Sequence, residues 1–311
     1  SLSITAAVLP DVDIKPFHLQ AHRLPDMDAG PDKWEDLIGV TPDKDPHFVM
    51  LADPYSFPVN DLLVGLDYAF PRATKIGGLA SGANRSGGNA LFLDGEVLRT
   101  GCIGLALDGN ITVDTVVAQG CRPIGEPMLI SKCDRNMLIE LEGKPPLEVL
   151  QGMVPALPQR DKELLGNSLF LGVVMDELID NPSQGDFLIR NVVGMDQDTG
   201  GLAIGEMLKE GQLVQFHLRD AETSRDDLQA VLTRYATEHQ ENDIPGALLF
   251  SCLGRGQFLY GQANHDTDIF RDKLGEIPLG GFFCNGEIGP VSGTTFLHGY
   301  TSSFGLFRPK L

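Results

Sequence analysis

The sequence predicts an α+β protein of two similar halves, each a mainly antiparallel sheet flanked by helices, with the two sheets packed face to face as one arrangement. Three observations carry this. Gly77-Gly78-Leu79 runs through a Gly-rich segment into Leu91-Phe92-Leu93 and on to Gly101–Leu107, and Gly280-Gly281-Phe282 repeats that order of strand, Gly-rich loop, strand and strand up to Phe307. Each copy follows an apolar run, Phe48–Asp53 or Ala247–Cys252, and then a short amphipathic segment. Turns between successive apolar runs are brief, which favours antiparallel neighbours. An internal duplication explains the spacing.

The elements follow in order. Ile4–Leu9, His47–Leu51, Leu91–Leu93, Ile103–Leu107 and Ile111–Ala118 are apolar, β-rich runs and predict strands. Asp94-Gly95 is a type I′ hairpin signal, because both residues tolerate positive φ. Asp108-Gly109-Asn110 predicts a second short turn between paired strands. Leu62, Leu63, Leu66 and Phe70 share one helical face in the first copy, as Ile269, Phe270 and Leu274 do in the second. Pro145–Gln151 predicts a helix with prolines in its first turn. The proline-punctuated segment Val154–Asp161 then marks the boundary, giving halves of 1–154 and 155–311.

Strands are expected at Leu169–Met175 and Phe187–Val193, with a turn over 180–185 between them. Leu213–Leu218 alternates, placing Val214, Phe216 and Leu218 on one face and Gln215, His217 and Arg219 on the other. The clearest helix comes next. Thr223 and Ser224 can cap it, acidic residues fill its first turn, and Leu228, Val231, Leu232 and Tyr235 form its stripe.

Composition narrows the function. The chain has 311 residues, with 24 Lys+Arg against 43 Asp+Glu, and its net charge of -19 repels nucleic acid and anionic membranes over most of its surface. No apolar run is long enough to span a bilayer. The five cysteines are too few for a disulfide framework, so reduced thiols and a cytoplasmic setting are expected. The first residues, Ser1-Leu2-Ser3, lack an initiator Met and a signal-peptide pattern, and read as a cut boundary.

Candidate functional residues lie in turns and on a strand's polar face. Cys121 and Arg122 occupy Gly120–Gly125, where Arg122 either forks onto a ligand carboxylate or pairs with one of the surplus acids. His217 and Arg219 share a face, beside Asp220; a ligand-contacting face competes with a structural ion pair from Arg219 to Asp220 or Glu222. Cys252 and Arg255 leave a buried strand into a Gly-rich loop, where Cys252 is either a core residue or a thiol activated by Arg255. The terminal motif adds Cys284, Asn285, Glu287, His298, Tyr300 and Thr301. Glu287 is a carboxylate that a Gly-rich turn does not need.

Known catalytic and cofactor signatures are missing. Gly254-Arg255-Gly256 lacks the third glycine of a dinucleotide fingerprint, since Leu259 stands there, and no phosphate-binding loop, Gly-x-Ser-x-Gly elbow, His-Glu-x-x-His or Cys-x-x-Cys occurs. No catalytic residue, metal ligand or cofactor is therefore assigned. An enzyme using Cys252 or Cys284 remains the third reading, behind a ligand-binding protein and an interaction scaffold.

Gly120-Cys121-Arg122-Pro123-Ile124-Gly125, Gln212–Thr223, Gly280–Pro290 and Phe296-Leu297-His298-Gly299 together resemble the FIST family, the F-box and intracellular signal transduction proteins. The resemblance covers almost the whole chain. It implies an N-terminal FIST domain ending near Val154 and a C-terminal FIST domain after it, with about one αβ unit of the usual N-terminal domain ahead of Ser1. It also implies a sensory module for a small molecule such as an amino acid, acting with a protein signalling partner. No catalytic activity comes with it.

Overall fold

The structure is a computed structural model that describes residues 2–179, 181–239 and 243–310. Ser1 and Asp180, on which the expected chain start and the first residue of one expected turn fall, lie outside the described residues.

Residues 2–9 form no strand, contrary to expectation, and Ile4 is 80% and Val8 91% exposed. An apolar run becomes a strand only where a sheet edge and a buried face receive it. The first strand is β1 (Val12–Leu19), which pairs antiparallel with β6 (Cys102–Gly109). Between them lie α1 (Pro31–Ile38), β2 (His47–Ala52), α2 (Val59–Ala69), β3 (Lys75–Leu79) and the hairpin of β4 (Leu91–Leu93) with β5 (Glu96–Leu98). The hairpin turns on Asp94 and Gly95, with φ of 50° and 81°. The α2 helix buries Leu62, Leu63 and Leu66 as its periodicity requires, and as a crossover helix it makes β2 and β3 parallel.

Asp108-Gly109-Asn110 does not join paired neighbours. It carries the chain from β6 in one sheet to β7 (Thr112–Ala118) in another, with Gly109 at φ 98° and the Asn110 N–H donated to Asp11. A short turn brings strands together only if it folds back within one sheet, and this one turns a corner.

After Ala118 the chain builds a separate closed barrel. It comprises β8 (Cys121–Asp134), β9 (Met137–Leu141), β10 (Leu169–Val174), β11 (Phe187–Met195), β12 (Leu202–Ile204) and β13 (Leu213–Arg219), in the order β10-β11-β12-β9-β8-β13. Helices α3 (Pro146–Met153) and α4 (Gln159–Leu164) join β9 to β10. Leu138, Leu171, Ile204, Val214, Phe216 and Leu218 contribute to the barrel's apolar core, as expected where few strands leave room only for side chains.

The helix α5 (Ala221–Glu238) follows, and Asp220 caps it: its carboxylate accepts the Thr223 N–H at 2.8 Å. The cap is thus Asp220, ahead of the expected Thr223 or Ser224. Then come β14 (Gly246–Cys252), α6 (Gln257–Tyr260), α7 (His265–Leu274), β15 (Leu279–Cys284), β16 (Glu287–Val291), β17 (Thr294–His298) and β18 (Ser302–Arg308).

By contacts the chain divides into Ser1–Ala118 with Leu228–Leu311, and Gln119–Asp227. The first unit holds a six-stranded sheet, β1-β6-β2-β3-β16-β17, and a four-stranded sheet, β15-β14-β18-β7. Ile76, Leu107, Ile111, Val113, Phe250 and Cys284 fill the space between these sheets. Trp34, Leu62, Leu63 and Leu66 of α1 and α2 cover the outer face of one, and Leu228, Leu232, Ile269 and Phe270 of α5 and α7 cover the other. The series β1-β6-β2-β3 has the same order of connections as β7-β18-β14-β15. In the second series the barrel is inserted between the first strand and the first helix.

Tyr235 ties α5 to this sandwich, donating its hydroxyl to Asp114 of β7 at 2.9 Å while Arg308 donates its Nε to the same carboxylate at 2.6 Å. Tyr235→Phe is expected to lower the unfolding free energy by about 1.5 kcal/mol without changing the fold, read as a shifted urea midpoint at constant slope.

Candidate functional site

Two adjacent parallel strands, β14 and β15, end together at Cys252 and Cys284. In sheets with parallel strands the carboxyl ends are where ligand sites are commonly built, because the departing loops leave a crevice there. Gly281 lets β15 approach β14: its φ is 132°, and a Cβ there would meet the Leu249 carbonyl oxygen. Gly77 plays the same part in β3, against the Met50 carbonyl. Many glycines of the terminal motif are therefore architectural.

The loop after Cys252 turns inward and buries Arg255 completely. Its guanidinium pairs with Asp266 in the first turn of α7, Nε to Oδ2 at 2.7 Å and Nη2 to Oδ1 at 3.3 Å. Asp266 also accepts the Ser302 hydroxyl at 2.7 Å and the His265 ring at 3.0 Å. Burial works against its charge, yet the His265, Arg255 and Ser302 contacts together hold this carboxyl well below the usual carboxylate range. Tyr260 closes the cluster, its ring stacked on His265 at 3.5 Å and 8°, with the Arg255 guanidinium 5.8 Å from its centroid.

Glu287, at the start of β16, is fully buried beside this pair. Its carboxyl oxygens accept the N–H of Gly286 at 3.1 Å and of Thr301 at 3.2 Å, and the Cys284 thiol at 3.6 Å. Burial outweighs these donors and the Arg255 charge, and pushes the acid up to about 8. Burial thus favours the protonated, neutral form of Glu287. Burial, with Glu287 beside it, pushes the Cys284 thiol well above the ordinary thiol range, so Cys284 is not an activated nucleophile.

The structure thus brings Cys252, Arg255, Cys284 and Glu287 together. His298 faces Glu287 in register on β17, buried, with Nε2 at 3.0 Å from the Gly289 carbonyl. Asn285 is exposed, and its backbone N–H is donated to Ser81 Oγ at 2.7 Å. Cys121, Arg122, His217 and Arg219 lie in the barrel unit. There Arg122 forks onto Asp161, with one bond at 3.1 Å, and sits 3.7 Å from Asp220, which Arg160 holds at 2.9 Å. His217 packs edge-on against Phe187, and burial pushes its ring down to about 4, so it stays neutral.

Sequence reasoning did not single out Asp266, His265 or Ser302 as site residues, whereas Thr301, named in the terminal motif, donates its N–H to Glu287. Asp266 could have been found as a first-turn acid facing the only arginine of the preceding loop. Also unremarked was a buried counterpart at the end of β2, where Asp53 accepts the Ser56 hydroxyl at 2.6 Å and the Asn89 amide at 2.9 Å. The Asp53 N–H bonds Gly101 as that of Cys252 bonds Thr301, each at 2.9 Å. Among the described residues no group of three His, Cys, Asp or Glu side chains is placed to hold a metal ion, and no helix is long and apolar enough to cross a membrane.

Comparison with known proteins places this geometry. The FIST N domain matches residues 3–144 and the FIST C domain residues 146–290. An uncharacterized protein of Mycobacterium tuberculosis is 45% identical over 259 residues, covering 83% of this chain and 67% of its own. An uncharacterized protein of Mycobacterium bovis is 42% identical over the same shares of each chain. An F-box/LRR-repeat protein of Arabidopsis thaliana is 29% identical over 158 residues, 44% of this chain and 30% of its own. FIST domains are associated with sensory roles in signal transduction. With both of its domains matched end to end over most of the sequence, the chain belongs to the FIST family.

Proposed function

We propose that the chain is a cytoplasmic sensory module that binds a small polar metabolite of the amino-acid class at the Arg255–Asp266–Glu287 cluster. The observation that carries this reading is Glu287, an acid fully buried at the carboxyl ends of parallel strands and kept neutral by desolvation. Its oxygens accept the N–H groups of Gly286 and Thr301, a task that needs no ionisable side chain, and burying one is costly. A ligand ammonium group beside it restores the charged state, so binding releases the Glu287 proton. The ligand carboxylate meets Arg255 in competition with Asp266. Entry requires the loop from Leu253 to Asn264 to move, and Gly256 and Gly261, at φ 97° and 71°, supply its pivots. Five cysteines outside any disulfide fit a reducing compartment.

A thermal-shift screen of amino acids and organic acids on the full chain tests this. At least one compound is expected to raise Tm by about 5 °C at roughly a hundredfold excess over its Kd. The shift should vanish in Glu287→Gln and persist in Arg122→Ala. No stabilising compound, or an equal shift in Glu287→Gln, defeats the reading.

The second reading, a scaffold for a protein signalling partner, draws on one observation. Leu253, Phe258 and Phe283 are 46%, 103% and 53% exposed around this same loop, and apolar side chains grouped on a surface mark interaction sites. It expects a silent ligand screen and crosslinking from a photoreactive residue placed at Phe258.

A further inference from the structure

Cys252 and Cys284 are the last residues of β14 and β15 and stand directly opposite each other in the parallel ladder. Side chains two residues apart on a strand share a face. Phe250 and Phe282, the preceding pair on that face, touch edge to face with centroids 5.7 Å apart. The same parity puts Cys252 and Cys284 side by side on one face of the sheet, where both are buried, Cys284 among the residues between the sheets. Neighbouring strands lie about 4.8 Å apart, within the roughly 4.4–6.8 Å Cα separation of disulfides.

Their surroundings differ. Cys252 Sγ accepts the Gly254 N–H at 3.4 Å, at the root of the loop that carries Arg255. Cys284 instead donates its thiol hydrogen to Glu287.

We propose that Cys252 and Cys284 form a peroxide-sensitive dithiol, which hydrogen peroxide or a small organic hydroperoxide closes to an intramolecular disulfide. The Cys252 thiolate attacks a peroxide oxygen; the S–O bond forms, the O–O bond breaks, and the departing oxygen takes a proton to leave as water or alcohol. Cys284 then attacks the sulfenic sulfur; the S–S bond forms, the S–O bond breaks, and the leaving hydroxide carries off the Cys284 proton as water. Two thiols give up two electrons to one peroxide, which is reduced. Closure removes the thiol donor from Glu287 and ties the root of the Arg255 loop to β15. The dithiol exists whether or not the cluster binds a metabolite.

Thiol titration and peptide mapping of the full chain after hydrogen peroxide treatment test this. The expected result is the loss of two of the five thiols, a single cross-linked peptide pair containing Cys252 and Cys284, and their return with dithiothreitol. Cys284→Ser should trap a dimedone adduct at Cys252, and Cys252→Ser should give none at Cys284. Five intact thiols, a disulfide mapped to another pair, or a dimedone adduct at Cys284 overturns the proposal.

Discussion

Gly281→Ala is expected to cost about 4 kcal/mol of stability, a large part of the roughly 5–15 kcal/mol that holds a typical domain together. Two penalties combine. Alanine at φ 132° occupies a region closed to L side chains, worth about 1–3 kcal/mol. Its Cβ also meets the Leu249 backbone, which cannot yield without parting β14 from β15, for about as much again. Gly293→Ala is the control, since Gly293 has φ 86° but nothing within 4 Å of a built Cβ. It should cost only about 1 kcal/mol. Chemical denaturation distinguishes the two; equal losses would show that backbone conformation alone, not close approach of the strands, requires Gly281.

The second large effect is a pH dependence from Glu287. Its acid stands near 8 in the folded chain, against an ordinary value of 4.5. Between those values the folded state holds a proton that the unfolded state has released, so stability falls as pH rises from about 4.5 to about 8 and levels off above. Each unit is worth about 1.4 kcal/mol, and the window is wide enough for a loss of several kcal/mol. Glu287→Gln removes the ionisation while keeping the shape. The variant is expected to lose this part of the slope and to be more stable than the natural chain at pH 8.5, though not at pH 5. Parallel slopes in both proteins would mean that Glu287 is ionised throughout.

Local signals gave the elements whose reasons are local. The stripes of α2 and α7, the Asp94-Gly95 turn and the alternation of β13 all follow from side chains within a few residues of one another. The sandwich packing within the first unit follows too, since each sheet has an apolar face. What escaped depends on partners far along the chain. Nothing in Asp108-Gly109-Asn110 says that the next strand joins β18, about two hundred residues on, and nothing near Leu169 announces a barrel. The run Ile4–Leu9 looks like a strand but finds no edge.

The candidate site divides the same way. Cys252, Arg255, Cys284 and Glu287 gather because β14 and β15 are parallel and end level, a pairing that the expectation of mainly antiparallel sheets did not include. Arg122 and His217 looked equivalent to them because chemistry-bearing residues in turns and strands read alike. What separates Arg122 is Asp161, thirty-nine residues further on, and what separates His217 is burial against Phe187. Neither can be read from spacing.

Isothermal titration of pooled amino acids into the full chain at pH 7, repeated in buffers of different ionisation enthalpy, tests the central claim most directly. Binding at Glu287 predicts heat that varies with the buffer and reports release of close to one proton, both abolished in Glu287→Gln. Absence of heat from every pool, or buffer-independent heat that survives in Glu287→Gln, would contradict it.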